Sequence, residues 1–272
     1  MTSTTLPSLD GRRPVDATTV AGFRTSGHAV VRGLADADEV GAYRSVIGDA
    51  VRRRSTETRP LAERDTYGRA FLQVPNLWRH DAGVAGFVLA HRFARAAADL
   101  LGVENVRIYH DQAPYKEPGG GSTPWHQDGV YWPLDTDLTI TMWMPLVHVA
   151  PEAGGLEFAA GSHRERALTE HVISDDSDAH FTALLDRGRF PVVGTGAMGA
   201  GDASFHSGWA LHRALPNSSA ALREVMTVIH VTDGVRVAEP RSREQAHDLA
   251  TWLPGHAPGD AVRGELHPRL PG

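Results

Sequence analysis

Over about the first hundred positions hydrophobic residues recur at helical spacing, and beyond them they alternate with polar ones. Val20 and Phe23 lie three apart behind Asp16, a residue suited to capping a helix, and Gly27 can end that helix before the β-rich run His28-Ala29-Val30-Val31. Asp36 opens a longer helix in which Val40, Tyr43, Val46, Ile47 and Val51 recur at helical spacing, with Arg52 to Arg54 as a solvated end whose cations suit the helix dipole. Phe71 to Trp78 has no clean period and mixes large apolar residues with the amides Gln73 and Asn76. One further helix is expected from Asp81 through Phe87, Val88, Phe93, Ala97 and Leu100 to Gly102.

From Val103 the texture changes to short β-rich runs between Gly and Pro. Val106 to Tyr109 reads as a strand, and Glu117 to Gly121 as a flexible loop that lacks the Gly-Lys-Ser/Thr ending of a phosphate loop. Thr139 to Val149 alternates, with Ile140, Met142, Met144 and Leu146 on one face and Thr141, Trp143 and Pro145 on the other. Gly154 to Phe158 is a short strand or turn, Ser174 to Gly188 an acidic loop entering a helix, and further strands are expected at Ala203 to His206, around His212, and from Arg223 to Val231. The pattern predicts one domain: a flexible arm over residues 1–15, a largely helical flank and substrate-pocket segment over 16–102, an all-β barrel or sandwich core over 103–235, and a wrap over 236–272 marked by Pro254-Gly255, Pro258-Gly259 and Pro268.

Composition narrows the function classes. The 272 residues suffice for one large core, and 41% hydrophobic with 22% charged residues is ordinary for a folded globular chain. A net charge of -6 gives no general attraction to nucleic acid or to an anionic membrane, so neither is an expected partner. No apolar run approaches the length of a membrane span and no leader pattern opens the chain, so a cytoplasmic location is expected; nothing in the sequence fixes an oligomeric state. Cysteine is absent, which removes disulfides and thiolate chemistry and leaves histidine and carboxylates to bind any metal. Of 27 basic residues only Lys116 is lysine.

The stretch Pro124-Trp125-His126-Gln127-Asp128 sets a histidine and a carboxylate two positions apart, on one face if the stretch is a strand. A competing triplet, His163-Arg164-Glu165, follows a Gly-Ser turn and leads into a charged, helix-like run, where i and i+2 diverge. His212, 86 residues after His126, is the preferred third ligand, which makes the two-histidine, one-carboxylate set of non-haem Fe(II) oxygenases. Arg223, eleven residues further, could grip a carboxylate with both arms of its guanidinium.

Trp125 to Asp128, the Met142 to Leu146 strand, Gly154-Gly155-Leu156 leading to Gly161-Ser162-His163, and His212 with Pro216-Asn217 and Arg223 together resemble the phytanoyl-CoA dioxygenase family, from about residue 20 to Leu266-His267-Pro268. The resemblance implies a double-stranded β-helix, or jelly roll, with flanking helices. It also implies Fe(II) on His126, Asp128 and His212, and 2-oxoglutarate held by Arg223 with further contacts from Gln127, Trp143 and Gln112. Family members often carry a small hydroxyl residue two after the distal histidine; Ala214 stands there, and Thr141 is the expected replacement. With O2 as oxidant and ascorbate as a stimulant, the implied reaction converts 2-oxoglutarate to succinate and CO2 and oxidises a C–H bond of a small molecule in secondary metabolism. Hydroxylation is the main expectation, with desaturation, ring closure or epimerisation on the same site as alternatives; Asp128 argues against halogenation, because related halogenases have a small residue in that position. Phe71, Gln73, Asn76, Trp78, His110, Lys116, Tyr131, Trp132 and Trp209 are the expected substrate wall. Two other classes fit the pattern: a degenerate jelly-roll binding module without metal, and a cupin-type metalloenzyme that uses no co-substrate.

Overall fold

The computed structural model describes residues 5–165, 168 and 171–272. In chain order its elements are α1 (Ala17–Ser26), β1 (His28–Val31), α2 (Ala37–Arg54), α3 (Thr66–Ala70), β2 (Leu72–Pro75), α4 (Ala82–Val88), α5 (His91–Leu101), β3 (Asn105–Tyr115), β4 (Thr123–His126), β5 (Thr139–Pro145), β6 (Leu156–Ala159), α6 (Asp175–Asp186), β7 (Val192–Gly194), β8 (Ala203–Ser207), β9 (His212–Ala214), β10 (Val225–Thr232), α7 (Arg243–Trp252) and β11 (Arg269–Pro271). The expected caps form. Asp16 accepts from the Thr19 amide at 2.9 Å, Asp36 and Glu39 make a reciprocal capping box, and Gly27 closes α1 at φ 79°.

The single helix expected from Asp81 to Gly102 is two helices, broken at Leu89 and Ala90, where Ala90 takes φ −59°, ψ 123°. The reason lies in the pattern itself. At about 100° per residue, Val84, Phe87 and Val88 fall on the opposite side of a straight helix from Phe93, Ala97 and Leu100. Turning the chain lets both sets reach the core, and all six are fully buried.

A seven-stranded antiparallel sheet runs in the order β1-β8-β5-β10-β3-β11, with β2 also on β3, and a four-stranded sheet runs β4-β9-β6-β7. Together they resemble the double-stranded β-helix core, although they do not close into a barrel and the helical share is substantial. Alternation along β5 sends Ile140, Met142 and Met144 into a core with α2, α4 and α5, and sends Thr141 and Trp143 to the inner face. The strand stops at Pro145, four residues short of the expected Val149, which instead pairs with Met198.

The chain ends are more ordered than the pattern predicts. Of the expected arm, residues 1–4 lie outside the described residues; beyond them Leu9 is buried at 2% exposure and Tyr43 donates to the Pro7 carbonyl at 2.8 Å. The C-terminal wrap contains α7, opened by a Ser242 cap on the Gln245 amide, and β11, which pairs with β3. Among the described residues no helix is long and apolar enough to cross a membrane.

Candidate metal centre and its cavity

β4 and β9 are antiparallel neighbours, and their register sets His126 directly opposite His212, with ring centroids 4.1 Å apart. Each imidazole turns Nδ1 to the carbonyl two residues before it: Pro124 at 2.7 Å for His126, Ala210 at 3.0 Å for His212. A carbonyl can only accept, so Nδ1 carries the proton and Nε2 presents a bare lone pair, the form a metal ligand needs. Asp128 is not on the strand. It begins a single 3₁₀ turn, Asp128–Val130, pinned by the Gly129 amide on the Gly208 carbonyl at 2.7 Å, so the turn rather than strand alternation returns its carboxylate to the histidines.

Asp128 Oδ1 lies 3.4 Å from His126 Nε2 and 3.9 Å from His212 Nε2, and the three ligand atoms all fall within 4.8 Å of one another. Oδ2 accepts from Thr141 Oγ1 at 3.2 Å and lies 3.4 Å from His206 Nε2. One carboxylate oxygen is therefore held by the scaffold while the other faces the imidazoles. Burial alone would raise the Asp128 pKa, but positive charge and N–H donation from the facing imidazoles of His212, His126 and His206, the place a metal's charge would take, outweigh it and hold the group well below the usual carboxylate range. Burial, then His126 and His206, pushes His212 well below an ordinary histidine and favours its neutral form. Two imidazole nitrogens and one carboxylate oxygen suit Fe(II).

His206 is the residue the sequence reading missed beside this set. Its signal was parity: in β8, Ala203 and Phe205 enter the helical core, so Ser204 and His206 take the inner face, where His206 pairs in register with Thr141.

Arg223 is buried at 2% exposure on the wall of the same cavity. Its guanidinium donates to the carbonyls of Gly154 (2.6 Å) and Pro114 (2.9 Å) and sits 5.4 Å from the Trp143 ring centre. Its Nε has no partner, and among the described residues no carboxylate pairs with it. Burial lowers its pKa to about 9. A buried cation without an anion is a site for one, and the bidentate fork suits a carboxylate.

The cavity measures about 410 Å³ and includes Phe71, Gln73, His110, Tyr131 and Trp132 from the expected wall, and Gln112, Thr141 and Trp143 from the expected co-substrate contacts. A bulge in the pairing of β10 with β3, at Ile229/His230, reverses the parity of β3. Val106 and Ile108 thus face the helical core while His110 and Gln112 face the cavity.

Five expected contacts lie elsewhere. Gln127 ties loops together, donating to Trp209 O at 2.6 Å and accepting from the Leu168 amide at 3.1 Å. Asn76 is a turn residue at φ 50° whose amide bonds Asp111 O, and Trp78 packs on the helical core. Lys116 is fully buried, its side-chain Nζ directed at the carbonyls of Gly121 and Leu215. The Trp209 ring fills the space beside Gly129, 2.7 Å from where a Cβ would stand. His163, in the competing triplet, sits on the short turn Ser162–Arg164, and Glu165 pairs with Arg189. Tyr67 from α3 and His247, Asp248 and Trp252 from α7 also line the wall, from segments with no site signal in the sequence.

Three comparisons bear on this arrangement. The chain is 28% identical over 145 residues to a methylphosphonate hydroxylase of Gimesia maris, covering 53% of this chain and 52% of that protein. It spans about half the length of the curated relatives it matches. Its fold is similar to that of SnoK, a non-haem α-ketoglutarate-dependent carbocyclase of nogalamycin biosynthesis, with TM-score 0.77 and 23% identity over 96% of this chain and 99% of that one. It is likewise similar to the fold of SnoN, an epimerase of the same biosynthesis, with TM-score 0.73 and 22% identity over 93% and 97%. The model for phytanoyl-CoA dioxygenase (PhyH) matches residues 23–225, from within α1 to the start of β10 and across both histidines, Asp128 and Arg223, and the chain belongs to that family of Fe(II)- and 2-oxoglutarate-dependent oxygenases.

Proposed function

We propose that this enzyme attacks a C–H bond of a ring-bearing natural product, holding Fe(II) with His126, Asp128 and His212 and the distal carboxylate of 2-oxoglutarate with Arg223, and that it finishes by ring closure, with loss of two hydrogens, or by epimerisation, with a hydrogen returned at the expense of an external reductant such as ascorbate, in preference to hydroxylation. The observation that carries the reading is the convergence of two Nε2 lone pairs and one carboxylate oxygen in a cavity that also contains a buried, acid-free guanidinium. Bound iron supplies, with 2-oxoglutarate and O2, an oxidant able to remove a hydrogen atom from an unactivated C–H bond, leaving succinate and CO2.

The chain's own residues do the positioning. Carbonyls of Pro124 and Ala210 fix the two imidazoles, and Thr141 holds Asp128 Oδ2, with His206 Nε2 3.4 Å away, so that Oδ1 is the free ligand atom. Phe71, Tyr131 and Trp132 give the cavity aromatic walls that exclude water from the reacting bond. Ring closure or epimerisation is supported by the extent of the fold likeness to a carbocyclase and an epimerase. Hydroxylation is the second reading, favoured by the kinship with a hydroxylase.

The test is incubation with Fe(II), ascorbate, 2-oxoglutarate and a panel of polycyclic and glycosylated natural products, following succinate and product mass. Loss of two hydrogens without a new C=C bond in the product's NMR spectrum marks ring closure, with a new C=C bond it marks desaturation instead, and unchanged mass with altered stereochemistry marks epimerisation. Gain of one oxygen replaces this reading with hydroxylation, and no succinate above background across the panel rejects both.

A further inference from the structure

Once the metal and 2-oxoglutarate are assigned their partners, the charged groups on the cavity wall can be counted. Asp128, with His126, His206 and His212 around it, belongs to the metal and Arg223 to the co-substrate; His110 is held neutral by burial, its pKa pushed down to about 4, and His247 is an exposed residue at the cavity edge that meets the Thr251 hydroxyl. Asp248 remains. It is 8% exposed, it lines the cavity from α7, and among the described residues no cation pairs with it; its one polar contact is the indole of Trp252. Burial first, and the Asp128 charge last, push its carboxyl up to about 7. A buried carboxyl served by one neutral donor is held partly protonated, and a cation brought beside it would ionise it and gain a charge-assisted partner.

Its surroundings indicate what that cation is attached to. Trp252 stacks on His110 at 4.6 Å, and Phe71, Trp132 and Tyr131 supply further aromatic faces, surfaces that pack against rings and attract a cation. The carboxylate's helix is also tied to the turn that carries the candidate ligand Asp128. Gln245, one helical turn before it, donates to the Val130 carbonyl at 3.1 Å, in the same short turn that begins with Asp128. An anionic substrate of the methylphosphonate kind would meet the Asp248 charge, with the cavity's guanidinium already engaged by 2-oxoglutarate.

We propose that Asp248 is the substrate-docking carboxylate of this cavity and that the substrate carries a protonated amine on an apolar or aromatic ring framework. The proposal rests on the function proposed above and adds the substrate's charge to it. The probes are 2-(aminomethyl)naphthalene, its neutral counterpart 2-naphthalenemethanol and the anion 2-naphthoate. Each is titrated anaerobically into protein holding Fe(II) and 2-oxoglutarate, and binding is read calorimetrically. The amine should bind about tenfold or more tightly than the alcohol, the scale of one charge-assisted hydrogen bond. Asp248→Asn should abolish that preference while moving the alcohol's Kd less than about twofold, and Asp248→Glu should restore part of it. Equal binding of amine and alcohol to the wild type, a preference that survives in Asp248→Asn, tighter binding of the naphthoate, or no binding of any probe would each overturn the assignment. The visible absorption of the Fe(II)–2-oxoglutarate complex is read in the same samples. Loss of the amine preference with that band intact counts against Asp248 alone; loss of the band with the preference intact counts against the iron assignment alone.

Discussion

Lys116, the only lysine of the chain, is fully buried, and its pKa is pushed from 10.5 down to about 6, by burial first and by the Arg223 guanidinium second. The neutral amine still has two N–H groups for the carbonyls of Gly121 and Leu215. Lys116→Met keeps most of the volume and removes both the ionisation and the two bonds. Two buried carbonyls left unsatisfied cost about 1–3 kcal/mol each. Against this, a lysine that must shed its proton to fold at pH 7 costs roughly 5 kcal/mol, three and a half pH units at about 1.36 kcal/mol each. The terms oppose each other, so the sign at one pH decides little, and the slope decides more. Between the folded value near 6 and the unfolded 10.5 the unfolded chain binds one proton more, so wild-type stability gains about 1.4 kcal/mol per pH unit from this group, a contribution the Met variant lacks. Urea unfolding of both proteins at pH 7, 8 and 9 should show the difference moving toward the wild type by roughly 2.7 kcal/mol over that range. A difference constant to within about 0.5 kcal/mol would mean that Lys116 folds with its proton and that the burial argument is wrong.

Three other substitutions test separate parts of the account. Arg223→Ala removes a fork suited to a carboxylate and should raise the KM for 2-oxoglutarate about 10- to 100-fold; succinate formation against 2-oxoglutarate concentration reads this, and an unchanged KM contradicts it. Thr141→Val keeps the shape and deletes the donor to Asp128 Oδ2, so Fe(II) affinity measured by anaerobic titration should fall about tenfold, whereas equal affinity would make the contact incidental. Gly201→Ala places a Cβ 2.2 Å from the Ala35 carbonyl oxygen at φ 86°, and should cost about 1–3 kcal/mol or more and lower Tm by several degrees; a Tm within one degree of wild type would refute the strain.

What the sequence made legible was local. Caps at Asp16 and Asp36 and alternation along β5 are set by neighbours a few residues away, and they came out as expected. The break between α4 and α5 was legible too, had the burial angle of its apolar residues been tracked around the helix. Long-range register was not. His126 meets His212 because β4 pairs with β9, a fact no stretch of either strand contains, and Asp128 reaches them through a turn that a strand reading overlooks. The same limit separates the wall residues. His110 and Gln112 face inward only because of a bulge; Lys116 drew notice by its rarity but serves two carbonyls; and Asp248 lies on a polar helix whose importance comes from where it docks.

The most direct test of the central claim is anaerobic addition of Fe(II) and then 2-oxoglutarate to the wild type and to His126→Ala, followed by visible absorption. The account predicts a charge-transfer band in the wild type that saturates at one iron per chain and is missing in His126→Ala. Absence of the band in the wild type, or an undiminished band in the variant, would contradict it.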